Sequence, residues 1–224
     1  MNYRHEYKHR ISYRDYLVLK NRLSLIAASD PHAGPDRTYH IRSLYFDNYQ
    51  DKALVEKLNG VNNREKFRIR IYNHDPSLIR LEKKSKINGL CVKEDIPLTK
   101  DECLKLIQGD ILWMKESGKP LLLELYTKMK SQLLKPRVIV DYTRLPFVYN
   151  PGNVRITIDY HIRTGLVGTN LFDAALPTVP IPDNAMLLEV KYDAFLPDIM
   201  RDITQLWDRQ TSSFSKYAAC RMYY

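Results

Sequence analysis

The sequence predicts an α+β protein in which eight antiparallel strands form a β-barrel tunnel with a basic lumen and helices packed outside. About eight segments have the composition of strands, which is the number that closes a small barrel. Five of them alternate charged and apolar residues with a period of two, so each has one charged and one apolar face. The 35 Lys and Arg against 26 Asp and Glu give a net charge of +9, which favours a polyanionic partner.

Turn and helix-end signals define the elements of the first half. The first helix ends at Asp30-Pro31, because the residue before a proline disfavours helical backbone. Asn73-His74-Asp75-Pro76 and Asn88-Gly89 mark turns, the second with a strong hairpin signal. The predicted elements are a strand at 3–11, a helix from Tyr13 to about Ala28, a strand at 37–47, a short helix from Gln50 to Leu58, and strands at about 63–73, 78–87 and 90–97.

The second half is predicted to be mainly helical before it returns to strands. A helical region at 100–134 is interrupted near Gly118-Lys119-Pro120. The proline-rich stretch 177–182 is interpreted as a loop, because the roughly 40 residues after it are near the lower limit for an independent domain. A single domain over residues 1–224 is therefore predicted. The remaining elements are strands at 137–148, 153–162 and 186–192 and a helix from about Leu196 to Gln210.

The charged strand faces carry the functional argument. The charged face of a single strand is ordinarily explained by exposure to solvent. Five basic faces side by side would place many cations within a Debye length of roughly 8–10 Å, which favours an anion among them. Linear phosphate chains match a basic channel better than a nucleic acid duplex does. The faces are Arg4, Glu6, Lys8 and Arg10; Arg64, Lys66, Arg68 and Arg70; Arg80, Glu82, Lys84 and Lys86; Arg155, Thr157, Asp159 and His161; and Glu189 and Lys191.

The carboxylates on these faces have two interpretations. Glu6, Glu82, Asp159 and Glu189 stand among lysines and arginines, where they are salt-bridge partners or ligands for Mg²⁺ or Mn²⁺ beside phosphate. His161 is either a surface residue or an aid to proton transfer.

Several classes of protein are excluded or disfavoured. No run approaches the roughly 18 apolar residues of a membrane span, and the first residues lack the apolar stretch of a signal peptide. Cys91, Cys103 and Cys220 form no CxxC pair, which favours a reducing cytoplasm. No GxGxxG, GxxxxGK[ST], HExxH or GxSxG motif is present, so the common glycine loops for nucleotides are absent.

Seven segments in order resemble the catalytic domain of the vacuolar transporter chaperone (VTC) polyphosphate polymerases and their prokaryotic relatives. That family belongs to the triphosphate tunnel metalloenzymes, so the resemblance implies an antiparallel barrel around a basic tunnel. One position departs from the superfamily pattern ExExK, because Arg4 replaces the first glutamate and leaves Glu6 and Lys8. The segments are YHIRSLYFD at 39–47, KFRIRIY at 66–72, LEKKSKIN at 81–88, YTRLPF at 142–147, RITID at 155–159, LEVKY at 188–192 and SFSKY at 213–217.

The resemblance also implies roles for individual residues. Glu189 resembles the carboxylate that coordinates the catalytic metal, and Arg68 and Arg70 resemble the arginines that grip the triphosphate. The expected catalytic residues are Lys8, Arg68, Arg70, Lys84, Arg144 and Glu189. The expected substrate-binding residues are Lys86, Lys93, Arg155, Lys191, Ser215 and Lys216.

The activity implied is transfer of the ATP γ-phosphoryl group to a growing inorganic polyphosphate chain with release of ADP, dependent on Mn²⁺ or Mg²⁺. ATP and polyphosphate are the expected partners, with no nucleic acid. Two alternatives keep the same basic faces. One is a metal-dependent tripolyphosphatase or polyphosphatase, in which water is the nucleophile. The other is a polyphosphate-binding module without catalysis.

Overall fold

The computed structural model describes residues 5–88, 90–206, 211 and 213–222, which form strands and helices. The strands are β1 (His5–Ile11), β2 (Ala28–Ser29), β3 (Tyr39–Asp47), β4 (Arg64–Tyr72), β5 (Asp75–Ile87), β6 (Leu90–Leu98), β7 (Lys135–Tyr149), β8 (Val154–Thr164), β9 (Val179–Pro180) and β10 (Met186–Tyr192). The α-helices are α1 (Tyr13–Ile26), α2 (Lys52–Leu58), α3 (Lys100–Gln108), α4 (Pro120–Ser131), α5 (Asp198–Thr204) and α6 (Lys216–Arg221).

Eight of the described strands form one hydrogen-bonded path in the order β1-β10-β8-β7-β3-β4-β5-β6. The two short strands lie off this path, β2 beside β7 and β9 beside β8. The pairs whose registers are described are all antiparallel. The predicted α+β class and the antiparallel sheet of eight main strands are therefore confirmed.

The boundaries of several predicted elements change. The strands β2 and β9 contain two residues each, too few to produce a recognisable period. The helix predicted at 196–210 is the shorter α5, which ends before Gln205 because that residue has extended backbone. Residues 207–210, like Arg4 and Gly89, lie outside the described residues. The prediction also missed α6, which contains Lys216.

Chain packing divides the protein into two compact units, and the single domain remains a prediction. The first unit comprises 1–40, 142–162 and 180–215, and the second comprises 41–141, 163–179 and 216–224.

In the first unit, helices cover the apolar faces of the strands. Helix α1 begins at a capping box, in which the Ser12 hydroxyl accepts from the backbone N–H of Asp15 and the Asp15 carboxylate accepts from that of Ser12. The core contains Leu19 and Leu23 of α1, Met200 of α5, Ile156 and Ile158 of β8, and Leu188 and Val190 of β10. Because strand side chains alternate, Thr157 and Glu189 stand on the other face.

The second unit repeats this arrangement on β4 and β5. Helix α3 begins at a capping box of Thr99 and Glu102 and ends at Gly109, whose φ of 85° favours glycine. The core contains Phe67, Ile69 and Ile71 of β4 and Ile79 and Leu81 of β5, packed with Cys103 and Leu106 of α3 and Leu122 and Leu125 of α4. The charged residues that alternate with them share the opposite face.

A buried network in the second unit attaches α6 to the start of α2. The Asp47 carboxylate accepts hydrogen bonds from the backbone N–H groups of Ala53 and Leu54, and the Tyr217 hydroxyl donates to it. Arg221 donates to both carboxylate oxygens of Asp51 at 2.9 Å. Lys216 therefore begins a helix that is held at two points.

Among the described residues, no helix combines the length and the hydropathy needed to cross a membrane.

Candidate functional site

The charged face of the first unit is assembled from β1, β10 and β8. Directly opposite residues of an antiparallel pair point to the same side of a sheet, with their Cβ atoms about 5 Å apart. Lys8 is opposite Glu189, and Glu189 is opposite Thr157. The adjacent rows are Glu6, Lys191 and Arg155 on one side and Arg10, Leu187 and Asp159 on the other.

Glu189 lies at the centre of this face. Its carboxylate is 2.8 Å from the Lys191 ammonium, 3.8 Å from that of Lys8 and 3.9 Å from the Arg144 guanidinium. Burial alone would raise the pKa of Glu189, but a hydrogen bond with the Glu6 carboxyl group and the three cations hold it well below its usual range. Glu189 is therefore ionised at neutral pH.

Two arginines flank this centre. Arg144 makes a bidentate contact with the fully buried Asp159, at 2.6 Å from Nε to Oδ1 and 2.8 Å to Oδ2. Arg155 donates to the Asp30 carboxylate and the Tyr39 hydroxyl, both at 2.8 Å. These contacts fix the orientations of both guanidinium groups.

The charged face of the second unit is assembled from β3, β4, β5 and β6. One cross-strand row contains three lysines, Lys66, Lys84 and Lys93, with no carboxylate among them. The other rows are Arg64, Lys86 and Cys91; Tyr45, Arg68, Glu82 and Asp95; and Ser43, Arg70, Arg80 and Pro97. These rows contain eight cations and two carboxylates, whereas the rows of the first unit contain four cations and three carboxylates, so the second face is the more strongly basic.

Glu82 contacts two arginines and a lysine of this face. Its carboxylate accepts from Arg68 Nε at 2.6 Å, and it is 3.8 Å from the Arg70 guanidinium and 3.0 Å from the Lys93 ammonium. Burial alone would raise the pKa of Glu82, but these three cations hold it well below its usual range. Arg68 also donates to the Tyr45 hydroxyl at 2.7 Å, and Arg70 donates to the Ser43 hydroxyl at 3.3 Å.

This arrangement predicts an acid-dependent loss of stability. A carboxylate with a depressed pKa contributes its full stability above the unfolded-state pKa of about 4.3, and loses it as the pH falls towards the folded-state value. We expect the free energy of unfolding to fall as the pH is lowered from about 5 to 2, and E82Q to flatten that slope by up to about 1.4 kcal/mol per pH unit. Urea unfolding at each pH measures both slopes.

The matched control is Glu94→Gln, which removes a half-exposed carboxylate on β6. We expect this variant to keep the wild-type slope. An unchanged slope in Glu82→Gln would contradict the assignment of the acid sensitivity to Glu82.

The family implied by the sequence uses a divalent metal. The described part of the chain contains no group of three or more His, Cys, Asp and Glu arranged to hold a metal ion. The carboxylates of Glu6 and Glu189 nevertheless fit Mg²⁺ or Mn²⁺, because both lie within 4.0 Å of the Lys191 ammonium and Mg²⁺ commonly binds through one or two carboxylates plus substrate phosphates. These two residues would hold the ion.

The structure gathers the predicted site residues into two groups, and their roles remain predictions. Lys8, Arg144, Arg155, Glu189 and Lys191 belong to the first unit's face, and Arg68, Arg70, Lys84, Lys86 and Lys93 belong to the second unit's face. Ser215 and Lys216 stand on neither sheet face but at the start of α6.

The sequence interpretation missed the residues that orient the arginines. On β3, Ser43 and Tyr45 alternate with the core residues Leu44 and Phe46, so the period of two could have identified them. His161, assigned by alternation to the charged face, is exposed and has a φ of 50°. Its backbone departs from extended geometry, and this exposure agrees with a surface histidine.

The fold is shared with a solved structure from Bacillus halodurans, a protein provisionally described as an adenylate cyclase. The two are 12% identical over 97% of this chain and 84% of that one, with a TM-score of 0.50. Two other solved structures are similar. The PH1012 protein of Pyrococcus horikoshii OT3 is 13% identical over 91% of this chain and 85% of its own, with a TM-score of 0.42. A conserved hypothetical protein of Pyrococcus furiosus is 11% identical over 89% and 85%, with a TM-score of 0.43.

No curated protein matches the chain. A family model does match, that of the VTC domain, and it spans residues 3–223. Because this match covers nearly every residue, including both charged faces, the chain belongs to the VTC domain family.

Proposed function

We propose that this protein is a polyphosphate polymerase, which transfers the γ-phosphoryl group of ATP to the end of an inorganic polyphosphate chain and releases ADP. Membership of the VTC domain family supports polyphosphate or triphosphate as the class of substrate. The observation that carries the proposal is the second unit's face, where the lysine row of Lys66, Lys84 and Lys93 lies beside the oriented arginines Arg68 and Arg70.

Two arginines of the second unit, Arg68 and Arg70, are suited to bind the phosphates of ATP. A guanidinium group donates two parallel hydrogen bonds to a phosphate, which fixes direction as well as charge. Arg68 is already held by Glu82 and Tyr45, and Arg70 by Ser43. Donors held in advance need little reorganisation when charge shifts during transfer. Lys84, Lys86 and Lys93 would supply further donors along the chain of phosphates.

The charged face of the first unit has both phosphate donors and the proposed metal ligand. Lys8, Arg144, Arg155 and Lys191 surround Glu189 and supply positive charge to phosphate oxygens. Mn²⁺ or Mg²⁺, when held by Glu189 together with Glu6, would supply positive charge that reduces the repulsion between phosphate groups. Ser215 and Lys216 are proposed to contact phosphate at the start of α6.

The transfer itself needs no strong general base. A terminal oxygen of the acceptor chain, already anionic at neutral pH, forms a bond to the γ-phosphorus. The bond from that phosphorus to the β–γ bridging oxygen breaks, and the oxygen leaves on ADP. Phosphoryl transfer of this kind depends mainly on positioning and on electrostatic stabilisation, which the lysines and arginines supply.

The test is incubation of the purified chain with ATP and Mn²⁺ or Mg²⁺, with products separated on a gel stained for polyphosphate and ADP measured in parallel. We expect a ladder of polyphosphate and an equivalent amount of ADP. Chelation of the metal with EDTA should reduce both to background, because the uncompensated phosphate charges would oppose transfer. Restoring the metal should restore both.

Two outcomes would contradict the proposal. Release of orthophosphate without a ladder would reassign the chain as a metal-dependent polyphosphatase. Tight binding of tripolyphosphate that is indifferent to metal, without turnover of ATP, would identify a non-catalytic binding module.

A further inference from the structure

Thr157 places a buried hydroxyl in the middle of the first unit's charged face. The residue is only 3% exposed, and its Oγ1 has no hydrogen-bond partner among the described residues. A buried hydroxyl without a partner costs about 1–3 kcal/mol of stability. A valine of nearly the same shape would avoid this cost. The presence of a hydroxyl here is explained if it forms a hydrogen bond with a bound ligand.

The surroundings of Thr157 favour an anion as that partner. It is directly opposite Glu189 on β10, and Glu189 is in turn opposite Lys8 on β1. Arg155 lies two residues before Thr157 on the same face of β8, and Lys191 is directly opposite Arg155. A phosphate oxygen drawn to these cations would lie within reach of the hydroxyl.

The geometry of threonine suits such a contact. Its β-branched side chain has restricted χ1 rotation, so the hydroxyl is held in a defined direction on the strand. The neighbours Ile156 and Ile158 are buried in the core on the opposite face of β8, which fixes the strand on which Thr157 stands. The hydroxyl is therefore a donor prepared before any ligand arrives.

We infer that Thr157 is a further substrate-contacting residue, whose hydroxyl donates a hydrogen bond to a non-bridging phosphate oxygen bound beside Glu189. This inference rests on the proposed function for the identity of the ligand. Thr157 would then be an uncharged hydrogen-bond donor among the lysines and arginines of this face. Such a donor adds direction to phosphate binding without adding charge.

The test compares Thr157→Val with the wild-type chain, using inorganic tripolyphosphate as the probe. Isothermal titration calorimetry gives the Kd, and thermal unfolding without ligand gives the melting temperature. We expect Thr157→Val to bind tripolyphosphate about tenfold or more weakly, because hydrogen bonds to charged groups contribute strongly. Its melting temperature should equal or exceed that of the wild type, because an unsatisfied polar group has been removed.

Thr164→Val provides the matched control on the same strand. Its hydroxyl is buried and satisfied, since it donates to the Cys220 carbonyl and accepts from the Leu166 N–H. We expect this variant to lose melting temperature but to keep the wild-type Kd. Thr157→Val should thus weaken binding without loss of stability, and Thr164→Val should lose stability without weaker binding.

The outcomes separate this inference from the proposed function. Equal Kd values for wild type and Thr157→Val would overturn the inference while the polymerase proposal stood. Weakened binding by Thr157→Val in a chain that forms no polyphosphate from ATP would support the inference and overturn the polymerase. A wild-type chain that does not bind tripolyphosphate would overturn both.

Discussion

Replacing Arg70 with alanine is expected to lower kcat/KM for ATP by about 10³-fold, the effect of removing an arginine that stabilises transferring phosphoryl groups. Arg70 is nearly buried on the second unit's face and is oriented by Ser43. No other described side chain has its position in the register opposite both Ser43 and Arg80. A neighbouring lysine would supply charge without the two parallel hydrogen bonds of a guanidinium group.

The fold should survive this substitution. Glu82 keeps its contacts with Arg68 and Lys93 when Arg70 is removed, so its buried carboxylate is not left without a cation. We expect circular dichroism and cooperative unfolding to remain as in the wild type. The loss of turnover would then report on the site and not on folding.

Two further variants make the Arg70 experiment specific. Arg80→Ala removes the same charge from the residue directly opposite, whose side chain is 39% exposed and contacts Asp95 at 3.3 Å; we expect a loss below about tenfold. Arg70→Lys keeps the charge but loses the planar guanidinium group, so its loss of kcat/KM should lie between those of Arg80→Ala and Arg70→Ala. Turnover by Arg70→Ala at the wild-type rate would refute the role assigned to Arg70.

Replacing Glu189 with glutamine is expected to lower metal-dependent turnover by about 10³-fold. The substitution removes the anionic oxygen proposed to hold the ion, and a neutral amide is a weaker ligand for hard cations such as Mg²⁺. Steady-state rates across a Mn²⁺ titration measure the effect. We expect both a lower maximum rate and a higher metal concentration at half-maximum.

Glu189→Gln should also lower the free energy of unfolding by about 3 kcal/mol, because Lys191 and Lys8 lose a buried counter-charge. Assays therefore belong at a temperature where the variant is folded, as judged by circular dichroism. Glu94→Gln makes the same chemical change at a half-exposed position and should leave turnover unchanged. An unaltered metal titration in Glu189→Gln would contradict the assignment of the metal to this carboxylate.

The sequence alone was sufficient to predict the strand faces of β4, β5 and β10. Alternation is a local property, since successive side chains of a strand point to opposite sides whatever the strand pairs with. Arg68, Arg70 and Glu82 were therefore placed on one face, and Ile69 and Leu81 on the other, before any pairing was known. The same rule failed at His161, where a positive φ departs from the extended geometry on which the rule depends.

Contacts between strands could not be predicted from the sequence, because register is set by the packing of the whole sheet. Strand spacing did not reveal that Lys66, Lys84 and Lys93 form a row without a carboxylate, or that Glu82 serves two arginines and a lysine. The sequence by itself determined which residues share a face, since that needs only the period of a strand. Only the tertiary structure decided which charges are neutralised and that the Thr157 hydroxyl is buried without a hydrogen-bond partner among the described residues, because pairing joins residues far apart in the chain.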